Sequence, residues 1–313
     1  METFYYKFID ESLLQESKMK KLLAIAVVAA MTAPAMADTS VYGKAHVSVN
    51  KTSGVSGLSV ESHSSRVGLK GSNALDNGLT ATHKLEFGVD ITDGGGLSSR
   101  DTWVGLKGGF GEVRVGRQTT PYSVIDDAVA YPQRNDHALH TFDRTNNAIA
   151  YIGKFGPVGV AAAYVPTGEA EGGPVGNSDE VTNLIANYKA GPLYAGVGFQ
   201  GMPAGSNGTK IVLGYNAANY GVGLVSEKLP GSGDKVNTLS GKYSFGKASI
   251  VAQYGKNKDN ALGDLAQKNI EIGYKLGKGT MAYYEWEDLD MNNAANTAVV
   301  NEKTNRVGLV HTF

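Results

Sequence analysis

The most constraining feature of this chain is an alternation of apolar and polar residues that returns in segment after segment. In the first such segment, Val41, Val47 and Val49 share one side of an extended strand, whereas Lys44 and His46 lie on the other. No helical period of about 3.6 residues persists beyond the N-terminal segment. The 41 glycines and 16 tyrosines also favour strands over helices. The chain is therefore predicted to be all-β.

Segments with this alternation can be counted along the chain, and they number sixteen. Their connections alternate between short turns, such as "GGFG" and "SFGKAS", and longer polar loops. Hairpins with tight turns at one end and long loops at the other are typical of an antiparallel outer-membrane barrel. The predicted strands lie near 40–50, 64–74, 79–89, 100–108, 111–118, 146–154, 157–164, 179–190, 192–200, 209–216, 220–228, 235–245, 248–256, 266–276, 280–288 and 304–313.

The distribution of charge separates a membrane barrel from a soluble propeller or sandwich, which also alternate apolar and polar residues. A soluble barrel would bury large apolar side chains inside, but here the face opposite the apolar band is densely charged. Such a face suits a water-filled lumen better than a packed core. Hydrocarbon offers no hydrogen-bond partners, so only a closed barrel satisfies the edges of the sheet. The charges on this face include Lys44, Arg66, Lys70, Lys84, Glu86, Lys242, Glu271, Lys275 and Glu285.

The N-terminal segment has the pattern of a secretory signal peptide over residues 19–37. Lys20 and Lys21 precede an apolar run, and a small-x-small end follows, so cleavage is expected before Asp38. A membrane anchor is the alternative, but Pro34 comes too early for the roughly 20 apolar residues that a spanning helix needs. Residues 1–18 are interpreted as an upstream extension, and residues 38–313 as one barrel domain.

Composition excludes several other kinds of function. With 29 lysines and arginines against 30 acidic residues, the formal charge is -1, which gives no global reason to expect a nucleic-acid partner. The chain has no cysteine, so it has no disulfide, thiolate metal site or cysteine nucleophile. No cofactor is expected.

Five short motifs follow one another along the mature chain. They are "VYGKAHV", "SSRVGLKG", "WVGLKGGFGEVRVGRQ", "TNNAIAY" and the terminal "RVGLVHTF". Together they resemble the trimeric general-diffusion porins of the Gram-negative outer membrane, and the match covers essentially all of residues 38–313. The resemblance implies an outer-membrane channel through which ions and small hydrophilic solutes diffuse passively, and no enzyme activity. It also implies a homotrimer that contacts outer-membrane lipids, lipopolysaccharide and the barrel-assembly machinery, with Phe313 as the assembly signal.

In this family the third long loop folds into the barrel and presents carboxylates toward basic residues on the opposite wall. Here that loop runs from Thr119 to Thr145. Opposed rows of charge order water and admit small polar solutes, so they act as a filter. By motif position, the resemblance implies a pore constriction formed by Lys44, Arg66, Lys70, Arg117, Asp126 and Asp127.

The orientation of Arg117 stays open at the level of sequence. Strict alternation with Val113 and Val115 directs Arg117 outward, whereas a bulge at Gly116 would turn it into the lumen. The loop also lacks the family's frequent acidic-aromatic-glycine motif and has "YPQRNDHALH" in its place.

The sequence does not favour a metal site, a serine hydrolase or a calcium loop. His137 and His140 have a spacing that could supply two metal ligands, but a metal site needs a third. No GxSxG elbow marks a serine hydrolase. The stretch "DLDMNN" opens like a calcium loop but lacks the glycine and glutamate that complete one.

A substrate-specific outer-membrane channel is the alternative function, because such channels share the barrel and differ in the lumen. Sugar-selective channels usually carry an aromatic track along the wall. The inward aromatic residues here, Tyr42 and Tyr283, do not form one. An adhesin or purely structural barrel would have fewer strands and a packed lumen.

Overall fold

A computed structural model describes residues 39–134, 139–141, 144–166, 180–259, 263–292 and 299–313, and strands account for most of them. Across these ranges, no helix has the length and apolar character that a membrane crossing requires. One short helix, α1, spans Pro121–Val124. The predicted signal peptide (19–37) and upstream extension (1–18) lie outside the described residues.

The strands β1 to β17 are, in order, Ser40–Thr52, Ser59–Ser62, Arg66–Ala74, Thr80–Val89, Leu97–Gly108, Gly111–Thr119, Arg144–Phe155, Val158–Val165, Val181–Ala190, Leu193–Gly201, Gly208–Asn216, Tyr220–Lys228, Lys235–Phe245, Ala248–Asp259, Gly263–Gly277, Thr280–Asn292 and Val299–Thr312.

Two of the seventeen segments, β2 and β3, are halves of one crossing strand. Both pair with β1: β2 lies opposite its residues 47–50, and β3 lies opposite its residues 40–44. The break between them contains Ser64, whose φ of 50° lies in the left-handed region. The barrel therefore has sixteen crossing strands, and the predicted number is confirmed.

The sheet closes on itself because its first and last strands pair. β1 and β17 run antiparallel, with a register from Lys44 opposite Thr312 to Thr52 opposite Thr304. Every other strand pairs antiparallel with its neighbours in chain order. Closure leaves no strand edge without hydrogen-bond partners, as a hydrocarbon environment demands.

The alternation seen in the sequence becomes the two faces of the barrel. On β1, Val41 and Val49 are exposed on the outside, whereas His46, Ser48 and Asn50 are buried inside. Large apolar side chains recur at outward positions around the whole sheet, so the outer surface forms an apolar band. The polar side chains are thereby left to line the interior.

Connections of two lengths separate the ends of the barrel. Short turns join the strands at one end, and two of them place Gly156 and Gly246 at φ values of 60° and 62°, which glycine adopts without a Cβ clash. The long connections lie at the other end. Because the number of crossings is even, the start of β1 and the end of β17 are both on the side of the short turns.

Candidate pore constriction

The third long loop, between β6 and β7, turns into the barrel directly after β6. Thr120 caps α1 by accepting a hydrogen bond from the backbone N–H of Ser123 at 3.3 Å, and Pro121 begins the helix, where its missing N–H costs nothing. Tyr122 and Ser123 are fully buried. The sequence "TTPYS" thus forces a tight turn that directs the loop toward the interior.

Apolar side chains of the loop pack against the inner wall of the barrel. Ile125 and Val129 are 1% and 5% exposed, although they belong to a loop. Burial of each such side chain contributes roughly 1.5–3 kcal/mol. Their partners on β8, β9, β11 and β12 are Ala161, Ile185, Val212 and Val225.

Glycines on the wall make room for these loop side chains. A Cβ on Gly223 would lie 2.6 Å from Val129, and Cβ atoms on Gly196 and Gly198 would lie 3.0 Å from Ile125 and 3.1 Å from Tyr122. We call Gly196, Gly198 and Gly223 the glycine seat. The wall therefore accommodates the loop by lacking side chains where the loop lies closest.

A buried lysine on the wall holds the first arm of the loop, which is the part that follows β6. Lys210 on β11 places its Nζ 3.4 Å from the Oδ2 of Asp126 and 3.5 Å from the Oε2 of Glu227, and all three side chains are fully buried. Lys210 and Glu227 lie directly opposite each other in the register of β11 and β12. Burial and the negative charge of Asp126 raise the pKa of the loop residue Tyr131 well above its usual value.

The same lysine also contacts the second arm of the loop, which is the part that leads into β7. Lys210 Nζ donates to the carbonyl oxygen of Thr141 at 3.3 Å, and the backbone N–H of Thr141 donates to Glu227 at 3.1 Å. His140 is hydrogen-bonded to Glu227 at 2.9 Å and to the hydroxyl of Thr238 at 2.8 Å. Lys210 and Glu227 therefore connect both arms of the loop to the wall and to each other.

The middle of the loop crosses toward the first strands. The backbone N–H of Gln133 donates to Glu271 on β15. Gln133 and Arg134 then border a recess of about 240 Å³ that Lys44, His46 and His63 line from the other side. The loop thus covers the wall from β8 to β15, comes close to β1 at this recess, and leaves the wall of β3 to β5 facing the passage.

A cluster of cations on β3, β4 and β5, joined by Arg144 at the start of β7, forms what we call the basic wall: Arg66, Lys84, Arg100 and Arg144. Two carboxylates, Glu86 and Asp101, hold these four side chains. Glu86 lies 2.6 Å from Arg100 and 3.7 Å from Arg66, whereas Asp101 lies 2.6 Å from Lys84 and 2.7 Å from Arg144. Within the described residues, four cations pair with two carboxylates, so these six side chains together carry a net positive charge.

Three of the residues predicted for the constriction lie on this side of the barrel. Lys44 and Arg66 are opposite each other in the register of β1 and β3, and both are partly exposed to the interior. Lys70 is exposed and places its ammonium 4.9 Å from the centre of the Tyr42 ring. The structure therefore brings Lys44, Arg66 and Lys70 together with the basic wall.

The two predicted loop carboxylates are in different environments. Asp127 is exposed, but Asp126 is fully buried beneath the loop. Asp126 pairs with Lys210 on the wall behind the loop. Two consecutive residues of an irregular loop can point in different directions, and their sequence does not say which one faces water.

The register is irregular beside Gly116, but the extra residue lies on β7 and Arg117 stays on the outer side. Gly116 has a φ of 134°, and the register between β6 and β7 shifts between Gly116 and Gln118. Arg117 lies opposite Thr102 on β5, so it shares the side of the exposed Val104 and Val115. Its guanidinium donates to the Ser99 carbonyl at 3.2 Å and to Asn146. The bulge therefore fails to turn Arg117 inward because the extra residue belongs to β7.

Arg100, Arg144 and Lys210 were missed by the sequence reasoning. Arg100 and Asp101 both point inward because a register shift near Glu86 places two residues of β5 against one of β4, which alternation alone does not show. Arg144 lies at the first position of β7, where a strand prediction is weakest. The inward orientation of Lys210 could have been predicted from the sequence, since strand alternation places it on the face opposite the outward residues Ile211 and Leu213.

Phe313 lies where the barrel closes. Its backbone exchanges two hydrogen bonds with Gly43 on β1, at 2.9 and 3.1 Å, and its ring lies over Gly43, where a Cβ would be 2.3 Å from the ring. The side chain itself is 63% exposed. The last residue thus extends the pairing of β17 with β1, while its ring stays accessible.

A metal site finds no support in the described residues. Among them, no group of three or more histidine, cysteine or acidic side chains could hold an ion. His140 belongs to the Glu227 and Thr238 contacts, whereas His137, Asp136 and Asp143 lie outside the described residues.

Comparisons with known proteins agree with the geometry. A major outer membrane protein P.IB of Neisseria sicca is 28% identical over 295 residues, which cover 83% of this chain and 80% of that protein. A protein of the same description from Neisseria meningitidis serogroup B is 36% identical over 132 residues, but the match covers only 38% of this chain and 40% of the relative.

Solved structures share the fold at low identity. An anion-selective porin from Comamonas acidovorans has a TM-score of 0.65 at 21% identity, over 88% of this chain and 99% of that one. A mutant of the Rh. blastica porin has a TM-score of 0.67 at 16% identity, over 88% of this chain and 100% of that one.

The family assignment follows from the match over most of the chain. The family model described as Gram-negative porin matches residues 24–294. A closed antiparallel barrel with an inward loop and a charged interior is what such a protein requires. Family and fold point to a channel rather than an enzyme, located in the bacterial outer membrane. The chain belongs to the Gram-negative porin family.

Proposed function

We propose that this porin is a water-filled channel for passive diffusion of ions and small hydrophilic solutes, with a preference for anions. The observation that carries the proposal is the arrangement of the third loop and the basic wall. The loop lies against β8 to β15, so the passage runs between the loop and the cations of β1, β3, β4, β5 and the start of β7. Solutes that cross must pass beside those cations.

The sign of the preference follows from the charges at this passage. Arg66, Lys84, Arg100 and Arg144 share two carboxylates, and Lys44 and Lys70 add further positive charge on the same side. A positively charged lining raises the local concentration of anions and repels cations. The fold neighbour described as an anion-selective porin supports the same direction.

The proposed constriction residues have unequal roles. Lys44, Arg66 and Lys70 are proposed to act directly on permeating ions, with Asp127 as the exposed carboxylate of the loop. Asp126 is proposed to act through the position of the loop, because its side chain is buried against Lys210. Arg117 is proposed to stabilise the junction of β5, β6 and β7 through Ser99 and Asn146.

Assembly and partners are part of the proposal. The chain is proposed to form a homotrimer in contact with outer-membrane lipids and lipopolysaccharide, and to be inserted by the assembly machinery through Phe313. No cofactor or nucleic acid is required for this function. A substrate-specific channel is the alternative function, and it would show saturable transport of one solute.

Single-channel recording of the refolded protein tests the proposal. In a planar bilayer with a potassium chloride gradient, stepwise currents should appear, and their reversal potential should have the sign of chloride preference. Low ionic strength is needed, because the screening length is about 10 Å at 0.1 M but about 3 Å at 1 M. A closed barrel without steps, or a reversal potential of the potassium sign, would contradict the proposal.

A further inference from the structure

Lysines recur at the mouth of the barrel formed by the short turns. We define the short-turn rim as the last five residues of each strand that runs toward this end, the first five of each strand that leaves it, and the turns between them. Within the described residues, the rim holds eleven lysines and arginines. They are Lys44, Lys70, Lys84, Lys107, Arg114, Lys154, Lys189, Lys242, Lys247, Lys275 and Lys278.

Most of these side chains occupy inward positions. Lys189 follows Tyr188, which is 47% exposed on the outer face, and Lys275 lies between Tyr274 and Leu276, which are 50% and 55% exposed. Because successive residues of a strand point to opposite faces, Lys189 and Lys275 point toward the lumen. The same alternation turns Lys70, Lys107, Lys154 and Lys242 inward.

Few carboxylates lie within the rim itself, although Lys84 pairs with Asp101 and Glu86 just beyond it. Among the described residues of the rim, the side-chain carboxylates are Asp76 and Glu112. Glu112 lies 2.8 Å from Arg114 and also accepts a hydrogen bond from Thr82. The whole chain has 29 basic and 30 acidic residues, so the excess of positive charge at this mouth is a matter of placement.

We propose that the short-turn rim is a docking site for multivalent anions that enter from the side of the termini. Several like charges around one opening sum to a potential that a low-dielectric wall focuses into the pore. A compact polyphosphate can contact several ammonium groups at once, whereas a chloride ion contacts few. The proposal rests on the proposed channel function. The rim shares Lys84 with the basic wall and extends the positive charge from there to the mouth on the side of the short turns.

Sided block of the current by inorganic tripolyphosphate tests the site. Lys154→Gln with Lys189→Gln removes two rim charges that the structure places in no ion pair within the described residues. The matched control is Lys235→Gln with Lys258→Gln, which removes two exposed lysines from the opposite mouth, where they pair in register on β13 and β14. Both double variants change the net charge equally.

The orientation of each inserted channel can be read directly. Because the chain has no cysteine, Asn77→Cys in the exposed turn between β3 and β4 introduces a single thiol at the short-turn end. A membrane-impermeant thiol reagent added to one chamber then reports which end of the channel faces it.

The expected result is a half-blocking concentration about tenfold lower when tripolyphosphate is added on the short-turn side at 0.1 M salt. The rim variant should raise that concentration about threefold, and the control variant should leave it unchanged. Equal block from both sides, or equal effects of the two variants, would overturn the docking site while leaving the channel intact. Absence of any current would instead refute the proposed function.

Discussion

Lys210 and Asp126 form an ion pair that is fully buried between the third loop and the barrel wall, with Nζ 3.4 Å from Oδ2. The same ammonium group lies 3.5 Å from Glu227 and donates to the Thr141 carbonyl. One lysine therefore contacts two buried carboxylates and ties both arms of the loop to β11. The width of the passage depends on this contact, because the loop forms one of its sides.

Lys210→Met should release the loop without unfolding the barrel. Removal of one partner from a buried ion pair costs about 3–5 kcal/mol, since the remaining charges stay buried without compensation. The loop can avoid that cost by moving into the lumen, so open-channel noise should rise and the upper size limit for sugars in liposome swelling should change. Lys235→Met, at an exposed position on β13, is the control. A quiet channel with the parental size limit would show that the pair does not position the loop.

Charge compensation provides a stricter version of the same test. Asp126→Asn combined with Lys210→Met removes one carboxylate together with the lysine, so less uncompensated charge remains buried. The double variant should be quieter than Lys210→Met alone in single-channel recordings. An additive increase in noise would indicate that Asp126 and Lys210 act independently.

Gly223→Ala should displace the loop from the glycine seat. The new Cβ would lie 2.6 Å from Val129, a short branched side chain that the loop must carry away from the wall. Overpacking of this kind typically costs about 1–3 kcal/mol. Gly214→Ala is a matched control, because Gly214 lies opposite Gly223 in the register and its nearest neighbour is at 3.5 Å. Single-channel conductance should change for Gly223→Ala and stay parental for Gly214→Ala.

Lys44→Gln together with Arg66→Gln should shift the ion preference toward cations. A unit charge about 8 Å from a permeating ion interacts by roughly 0.5 kcal/mol at the dielectric constant of water and by roughly 2 kcal/mol at an effective value near 20. Loss of two charges therefore alters the permeability ratio severalfold. Reversal potentials across a salt gradient at low ionic strength measure the shift. An unchanged reversal potential would remove Lys44 and Arg66 from the constriction.

Asp127→Asn should shift the preference modestly toward anions and leave the channel noise unchanged, because Asp127 is exposed on the loop. Asp126→Asn should have the opposite profile, with added noise and little direct change of preference, because its carboxylate is buried against Lys210. Reversal potential and noise spectra of the two single variants distinguish these effects. Identical profiles would contradict the different placements of the two side chains.

Deletion of Phe313 should reduce the amount of folded protein in the outer membrane. The deletion removes the two backbone hydrogen bonds to Gly43 and the exposed terminal ring. Phe313→Tyr keeps the backbone and the aromatic ring, so it should be inserted normally. Heat-modifiable mobility of the membrane fraction on gels measures the folded protein. Normal insertion of the truncated chain would remove the assembly role.

The sequence predicted the barrel because alternation is a local property that survives in each strand. Val41 and Val49 against His46 already separate the two faces of β1, and sixteen such segments require closure. A bulge at Gly116 was one of two alternatives for the orientation of Arg117, since a glycine within a strand marks a position that a bulge can occupy. The register does shift beside this glycine, but the extra residue lies on β7.

Only the tertiary structure decided the orientation of charged side chains at positions where the strand alternation is interrupted or where the chain forms a loop. Arg100 and Asp101 face the same way because of a register shift against β4, and Arg117 stays outside because the extra residue lies on β7. Asp126 and Asp127 differ because the loop is held by Lys210, which lies 84 positions further along the chain. Such contacts depend on distant residues that closure brings together, so no local pattern encodes them.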